Sequence, residues 1–499
     1  MFARRSRVLR AVLPGALGLA LVAGCGSRLS QGELIALNGG SVTTVTEDAG
    51  GTGAATGTAT GSTATNPGVA APSALPLPTT AGGTAPRPGP SSSTLPVPGT
   101  ATPSTKNNNA GSATSTGAAA AAPRTDNKPI TICSVSELGG PAGAALAQGV
   151  NGAQAWVGDV NSHGGVAGHQ IRLMVKDSGS DPNVALADAR DCVENQGAVA
   201  LVASMAPFTS RGMMPYLQSK GVPAIGGDCG SSAWNDSPVL FNQCATVENN
   251  YWALSYEAAH AGAANNKFAF LTCQEAQTCA EGKHWEIEER FAEKNGLNLV
   301  YTKVFSLTQL DFTSECSAMK AAGATTVLTV ADPSALQRLG QSCARQGFNP
   351  IWTQPYASVN PDTPTKAGLG NIRLEMPVMP FCCVTGKDAQ NAAYQRYVTD
   401  FQRYGGSRPA GPAAVIGFTA GLLFERFLTD VAKTTPTVTS AALLKVAGQI
   451  KHETLGGSVA PINLTVGQKT PDSRCWFTMV ARNGGAWQVP NGLKPTCRQ

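Results

Sequence analysis

Cysteine is the residue type with the most chemistry to offer in this chain of 499 residues. There are 13 of them, and setting Cys25 aside leaves an even number, which in an exported chain predicts disulfides. Cys316 and Cys343 fall on successive expected helices, Cys273 and Cys279 bracket a short loop, and Cys475 and Cys497 flank a terminal hairpin, so these are the expected pairs. Cys133, Cys192, Cys229, Cys244, Cys382 and Cys383 stay unassigned. A metal site would need clustered ligands, yet no Cys-x-x-Cys occurs and His163, His169, His260, His284 and His452 stand apart. The sequence contains no Gly-x-Ser-x-Gly elbow, no His-Glu-x-x-His and no dinucleotide fingerprint in a strand-to-helix turn, so nothing points to an enzyme or a bound cofactor. Glu286, Glu288 and Glu289 share an expected amphipathic helix and read as a solvated face. The net charge of +5 is spread without a basic cluster beyond the first residues, which gives no case for nucleic acid.

The export assumption rests on the first 24 residues, read as a signal peptide. Arg4, Arg5, Arg7 and Arg10 precede an apolar run from Ala11 to Ala23 that is too short to span a bilayer. The run closes on Val22-Ala23-Gly24-Cys25, which resembles the site where a lipoprotein signal peptide is cut before a lipidated cysteine. Cys25 is therefore the expected lipid-bearing N-terminus, with ordinary secretion after cleavage near Ala23 as the alternative. Residues 25–127 collapse to Gly, Ala, Ser, Thr and Pro with no Phe, Tyr or Trp, too little apolar surface to offset ordering entropy. They are expected to be a disordered tether reaching roughly 50–60 Å as a flexible coil; Ser and Thr with Pro are also compatible with a glycosylated stalk.

The remainder, from about Lys128, alternates short apolar strands with helical periodicity. Strands are expected at Thr131–Val135, Ile171–Lys176, Val199–Ala203 and Pro223–Gly226, with helices at Gly143–Asn161, Asn183–Asn195 and Gly212–Lys220. The rhythm resumes from Lys267 through Thr353, including an expected helix at His284–Lys294. Such alternation predicts an α/β architecture of two doubly wound, mostly parallel sheets. In open parallel sheets ligands sit beyond the carboxyl ends of the strands, so the turns there are the candidate positions.

Many residues in the right order then resemble the leucine/isoleucine/valine-binding type of periplasmic solute-binding protein. Ser136, Leu138, Gly140 and Pro141 resemble that family's first strand-to-helix turn; Asn151-Gly152-Ala153, Asn161, Gly164-Gly165-Val166 and Gly168 resemble its first helix and the turn after it. Asp177, Ser180, Asp181, Pro182 and Gly221-Val222-Pro223 continue the match. Ser237-Pro238 with Phe241 resembles the crossing to a second lobe. Tyr404-Gly405, Pro409, Ala414, Gly417-Phe418 and Ala420 resemble the return, and Leu455-Gly456 with Trp487 the final crossing. The resemblance implies a type I periplasmic-binding-protein fold with a three-strand hinge, the first lobe at 128–242 and 373–454 and the second at 243–372 and 455–499. It also implies a monomer that closes on a small solute and delivers it to an ABC importer permease; a sensor of the same fold is the alternative.

That family binds its ligand through hydroxyls and backbone amides of one lobe. Here Ala206 and Pro207 stand where paired serines are usual, so Ser204 and Thr209 are the substitute candidates, with Phe208 as an apolar wall. After the fourth strand, Gly227, Asp228 and Ser231 are candidates, Asp228 either for an amine or as a turn cap. In the second lobe Cys279 falls near a usual ligand-covering tyrosine. Asp332, Ser334 and Tyr356 are the second-lobe candidates, with Asp332 equally able to cap a helix. A small polar solute, amino acid-like or amide-like, is the expected ligand.

Overall fold

The computed structural model describes residues 126–140, 143–406, 410–466 and 473–498. The expected signal peptide, Cys25, nearly all of the expected tether, Pro141 and Pro409 lie outside the described residues. The first strand, β1 (Ile130–Ser136), carries the two-residue period of a sheet buried on both faces. Ile130 and Ile132 join one buried cluster, and Cys133 and Val135 join another on the opposite face. Each strand after it begins a strand-to-helix unit, in the order α1 (Gly143–Ser162), β2 (Ile171–Asp177), α2 (Pro182–Arg190), β3 (Leu201–Ser204), α3 (Ser210–Lys220), β4 (Ala224–Gly227), α4 (Ala233–Asp236) and β5 (Leu240–Phe241). The five strands form one parallel sheet ordered β2-β1-β3-β4-β5.

The chain then crosses at residues 242–246 and builds a second sheet. It contains α5 (Val247–Ala259), β6 (Lys267–Cys273), α6 (Gln277–Lys283), α7 (Phe291–Lys294), β7 (Asn298–Phe305), α8 (Thr313–Ala322), β8 (Thr326–Val330), α9 (Pro333–Arg345), β9 (Ile351–Pro355) and β10 (Ile372–Met376). After β10 the chain returns to the first lobe as α10 (Ala392–Tyr404), α11 (Pro412–Ala432) and α12 (Ser440–Ala447). It crosses a third time beyond Leu455 and ends in β11 (Cys475–Ala481) and β12 (Thr496–Cys497). The second sheet is ordered β12-β11-β10-β9-β8-β6-β7, with β11 and β12 antiparallel to their neighbours. The second and third crossings are tied to each other where Met379 N–H donates to the Ser458 carbonyl at 2.8 Å.

Three expectations need correction. The lobe boundary expected at 373 falls inside β10, which pairs with β9 on one side and β11 on the other; the strand belongs to the second lobe and the crossing follows Met376. The expected helix at Asn183–Asn195 ends as an α-helix at Arg190 and closes with a wider turn over Asp191–Asn195. The expected helix at His284–Lys294 is broken at Arg290, whose φ of 57° is left-handed, and the wider turn before it points Glu286 inward. Glu286 is fully buried beside Ser255, not on a solvated face.

Helix starts follow local chemistry. Asp181 accepts from the Asn183 and Val184 amides ahead of Pro182, and Asp332 accepts from the Ser334 and Ala335 amides ahead of Pro333. The tightest packing is between α1 and α11, where a Cβ at Gly417 would lie 1.7 Å from the Gly149 carbonyl oxygen. Beside that crossing the buried Trp156 ring meets Phe424 edge-on, and its indole N–H donates to Glu425 at 2.9 Å. All twelve cysteines of the described residues are bonded, as 133–192, 229–244, 273–279, 316–343, 382–383 and 475–497. No helix among the described residues is long and apolar enough to cross a membrane.

Candidate functional site

The carboxyl ends of both sheets face one another across a partly open cavity. From the first lobe it is lined by Leu146 at the start of α1, by Pro207 and Phe208 after β3, and by Cys229 and Gly230 after β4. The second lobe contributes Val330, Ala331 and Asp332 at the end of β8, Pro355 to Ser358 at the end of β9, and Glu375 of β10. The first turns of α5 add Val247, Asn250, Tyr251 and Leu254. Most of this wall is hydrocarbon, and none of the lining residues is Lys, Arg or His.

Two hydrogen bonds cross the cleft and converge on Cys229. Its N–H donates to the Tyr356 hydroxyl at 3.1 Å, and its carbonyl accepts from Asn250 Nδ2 at 2.8 Å. The Cys229–Cys244 disulfide ties this point to the first crossing. Gln243, in the same crossing, grips Gly227 through both amide atoms, accepting from its N–H at 3.1 Å and donating to its carbonyl at 3.0 Å.

The expected site residues divide into two groups. Phe208, Asp332 and Tyr356 line the cavity. Ser204, Thr209, Gly227, Asp228 and Ser231 are buried behind it, and Ser334 is exposed on α9. The physical reason is internal satisfaction of their polar atoms. Ser204 Oγ accepts from the Val135 amide, and Ser231 Oγ accepts from Ser210. Asp228 accepts from Trp234 Nε1 and the Gly230 amide, each at 2.9 Å, with the Ala206 and Ser231 amides also turned to it. It organises the loop and leaves nothing for a ligand amine; burial raises its pKa to about 6 against these stabilising bonds. Asp332 lines the cavity but spends its carboxylate as the α9 cap. Cys279, set near a usual ligand-covering tyrosine, is bonded to Cys273 instead.

Two acids that the sequence did not single out shape the site. Glu137, directly after β1, is fully buried. Its Oε1 accepts from the Phe208 N–H at 2.8 Å and from the Thr209 N–H and hydroxyl, both at 3.0 Å. Burial outweighs those bonds and pushes its pKa up to about 8. Glu375 is also buried, and burial followed by the nearby Glu257 raises its pKa well above the ordinary range. Its Oε1 has no hydrogen-bond partner, and neither has Asn250 Oδ1. The sequence signal for Glu375 is an acid between Leu374 and Met376 near the end of a strand; Glu137 has only its place after β1.

Two lobes with parallel sheets, three crossings and a cavity at the carboxyl ends of the strands define a two-lobed solute-binding protein. Comparison with known proteins agrees: a family description, Periplasmic binding protein, matches residues 129–486. The chain belongs to that family, in its leucine/isoleucine/valine-binding-like type. Among solved structures, a possible leucine/isoleucine/valine-binding protein from Rhodopirellula baltica superposes with a TM-score of 0.61 at 15% identity, covering 74% of this chain and 98% of that one. A fatty acid ABC transporter substrate-binding protein from Thermomonospora curvata gives 0.62 at 15% identity, covering 76% and 94%. A solute-binding protein from R. palustris, in complex with 4-hydroxybenzoate, gives 0.59 at 15% identity, covering 74% and 98%. No curated protein matches the sequence. The family is one of extracytoplasmic binding proteins that work with ABC transporters.

Proposed function

We propose that this chain is an exported, lipid-anchored solute-binding protein that captures one small organic solute between its lobes and delivers it to an ABC importer. The observation that carries this is the interlobe cavity, in which Asn250 and Glu375 each hold an unpartnered oxygen within a mostly apolar wall. Buried polar atoms of that kind are costly unless something pairs with them, and a solute in the cleft would do so. Of the two solute types expected from sequence, the amide-like one fits this wall better than the amino acid-like one, which brings a carboxylate that no lining cation would meet.

The mechanism is hinge closure. Solute touching both lobes favours the closed state by its differential affinity for that state, and the Cys229–Tyr356 and Cys229–Asn250 bonds add to closure. The closed shape is then what the permease recognises, with the chain acting as a monomer held at the membrane by Cys25 and its tether.

A thermal-melting panel on the oxidised full chain tests this reading. A solute at about 100 times its dissociation constant adds roughly 2.7 kcal/mol of stability, so one chemical class should raise the midpoint. A flat response across amides, alcohols, amino acids, sugars, polyamines and aromatic acids would refute it. For the anchor, Cys25→Ala should release the protein into the soluble fraction.

A further inference from the structure

A binding protein selects its solute by the hydrogen-bonding groups it leaves free in the cleft. In the first lobe those groups are used up. The amides and hydroxyl after β3 that could hold a carboxylate, Phe208 N–H, Thr209 N–H and Thr209 Oγ1, all donate to Glu137 Oε1. After β4, the Gly230 amide donates to Asp228 and the Cys229 amide to Tyr356. Two internal carboxyl groups and a phenol therefore occupy the donors of both loops. A carboxylate solute would find no free donor there, no Lys, Arg or His in the lining, and the acids Asp332 and Glu375 on the facing wall. Its desolvation would go uncompensated.

What the cleft leaves free are acceptors, with the hydroxyl proton of Tyr356 and the proton of a neutral Glu375 as neutral donors beside them. Asn250 is only 7% exposed, and its orientation is fixed because Nδ2 donates to the Cys229 carbonyl, so Oδ1 must be the atom without a partner. Glu375, 1% exposed, offers a second unpartnered oxygen. An ammonium group would also donate, but it would have to lose its water among Leu146, Phe208, Leu254 and Val330 and force Glu375 to ionise, burying two charges that the cleft does not otherwise solvate.

From these placements we propose that the cleft selects an uncharged, mostly apolar solute bearing a hydroxyl or an amide N–H, and turns away carboxylates and amines. This rests on the reading of the cleft as a solute site and names its substrate class. The donor of the solute meets Asn250 Oδ1 and Glu375, and its hydrocarbon part lies against Leu146, Phe208, Leu254 and Val330.

The test is calorimetric titration of the oxidised full chain with four probes that share one skeleton: 3-phenylpropanol, 3-phenylpropanamide, 3-phenylpropanoate and 3-phenylpropylamine. The expected result is binding of the alcohol or amide at least about tenfold tighter than of the carboxylate or the amine, the equivalent of about 1.4 kcal/mol. Glu375→Gln, which keeps the shape of a neutral acid, should hold alcohol affinity within about threefold, and Asn250→Leu should weaken it about tenfold. A carboxylate or amine that binds as well as the neutral probes overturns the selectivity and leaves the solute-binding reading intact. A loss of more than about tenfold in Glu375→Gln overturns it as well, because the group would then work ionised. If no probe binds and the broad melting panel is also silent, the solute-binding reading itself fails and this inference fails with it.

Discussion

Replacing Glu286 by Gln should abolish one component of the pH dependence of stability, and its size follows from the surroundings of the carboxyl group. Glu286 is fully buried, and Ser255 Oγ lies 2.8 Å and 2.6 Å from its two oxygens. One hydroxyl proton can serve only one of those contacts; the other is favourable when the carboxyl group is itself protonated and donates. Burial accordingly moves its pKa from the ordinary 4.5 to about 8. Between those values the folded protein holds a proton that the unfolded chain has released. The stabilisation is complete below the lower value and is lost by about 1.4 kcal/mol per pH unit as pH rises toward the upper one. From about pH 5.5 to about pH 7.5 the loss is roughly 2.7 kcal/mol. Gln has the same shape, accepting from Ser255 with its carbonyl and donating with its amide, and carries no titrating proton. Guanidinium unfolding with disulfides intact should therefore show Glu286→Gln gaining about 2–3 kcal/mol on the native protein across that range. Parallel stability curves, with a gap constant to within about 0.5 kcal/mol, would refute the protonated-acid account.

Glu137→Gln should shift stability in the same direction over the same range, since its pKa is also raised to about 8, again read by unfolding at two pH values. Arg373→Met should cost about 3–5 kcal/mol in chemical unfolding, because Arg373 Nε sits 2.8 Å from Glu257 Oε2 and is the cation paired with that buried carboxyl group, whose Oε1 accepts only from Trp476 and Thr478; a loss under about 1 kcal/mol would contradict this. Gly417→Ala should cost at least about 3 kcal/mol or prevent folding, since its methyl group would meet the Gly149 backbone and push α1 from α11; circular dichroism melting checks it. Tyr356→Phe removes the bond from the Cys229 amide across the cleft and should weaken solute binding roughly fivefold, about 1 kcal/mol, with a larger radius of gyration in solution scattering. An unchanged affinity and radius would contradict the latch role.

The alternation of apolar strands and amphipathic helices made both parallel sheets legible, because burial on two faces leaves continuous runs such as Thr326–Val330 that nothing else explains. The boundary at β10 was not legible. Ile372–Met376 reads as a buried strand in either lobe, and its pairing with β9 and β11 decides which. Glu286 falls on a solvated face only if a helical period continues through Arg290, and there the backbone turns left-handed. At the site, sequence order located the right loops but not which atoms in them were free. Asp228 looks available in the sequence and is consumed by Trp234, which lies six residues on and folds back over it. Asn250 looks like one more polar residue of a helix start and becomes a cleft-facing acceptor only because Cys229 takes its amide group. Free and satisfied polar groups differ by contacts between segments distant in sequence, and a single chain does not spell those out.

The most direct test of the central claim compares solute binding by the native chain and by Ala357→Trp, side by side in calorimetry. Ala357 lines the cavity and is only partly buried, so the indole would project into the cleft and occupy the space of a solute. The account predicts saturable one-to-one binding by the native protein, loss of that binding in Ala357→Trp, and the same ligand-free melting midpoint for both. Equal binding by both proteins would place the solute somewhere other than between the lobes and contradict the account.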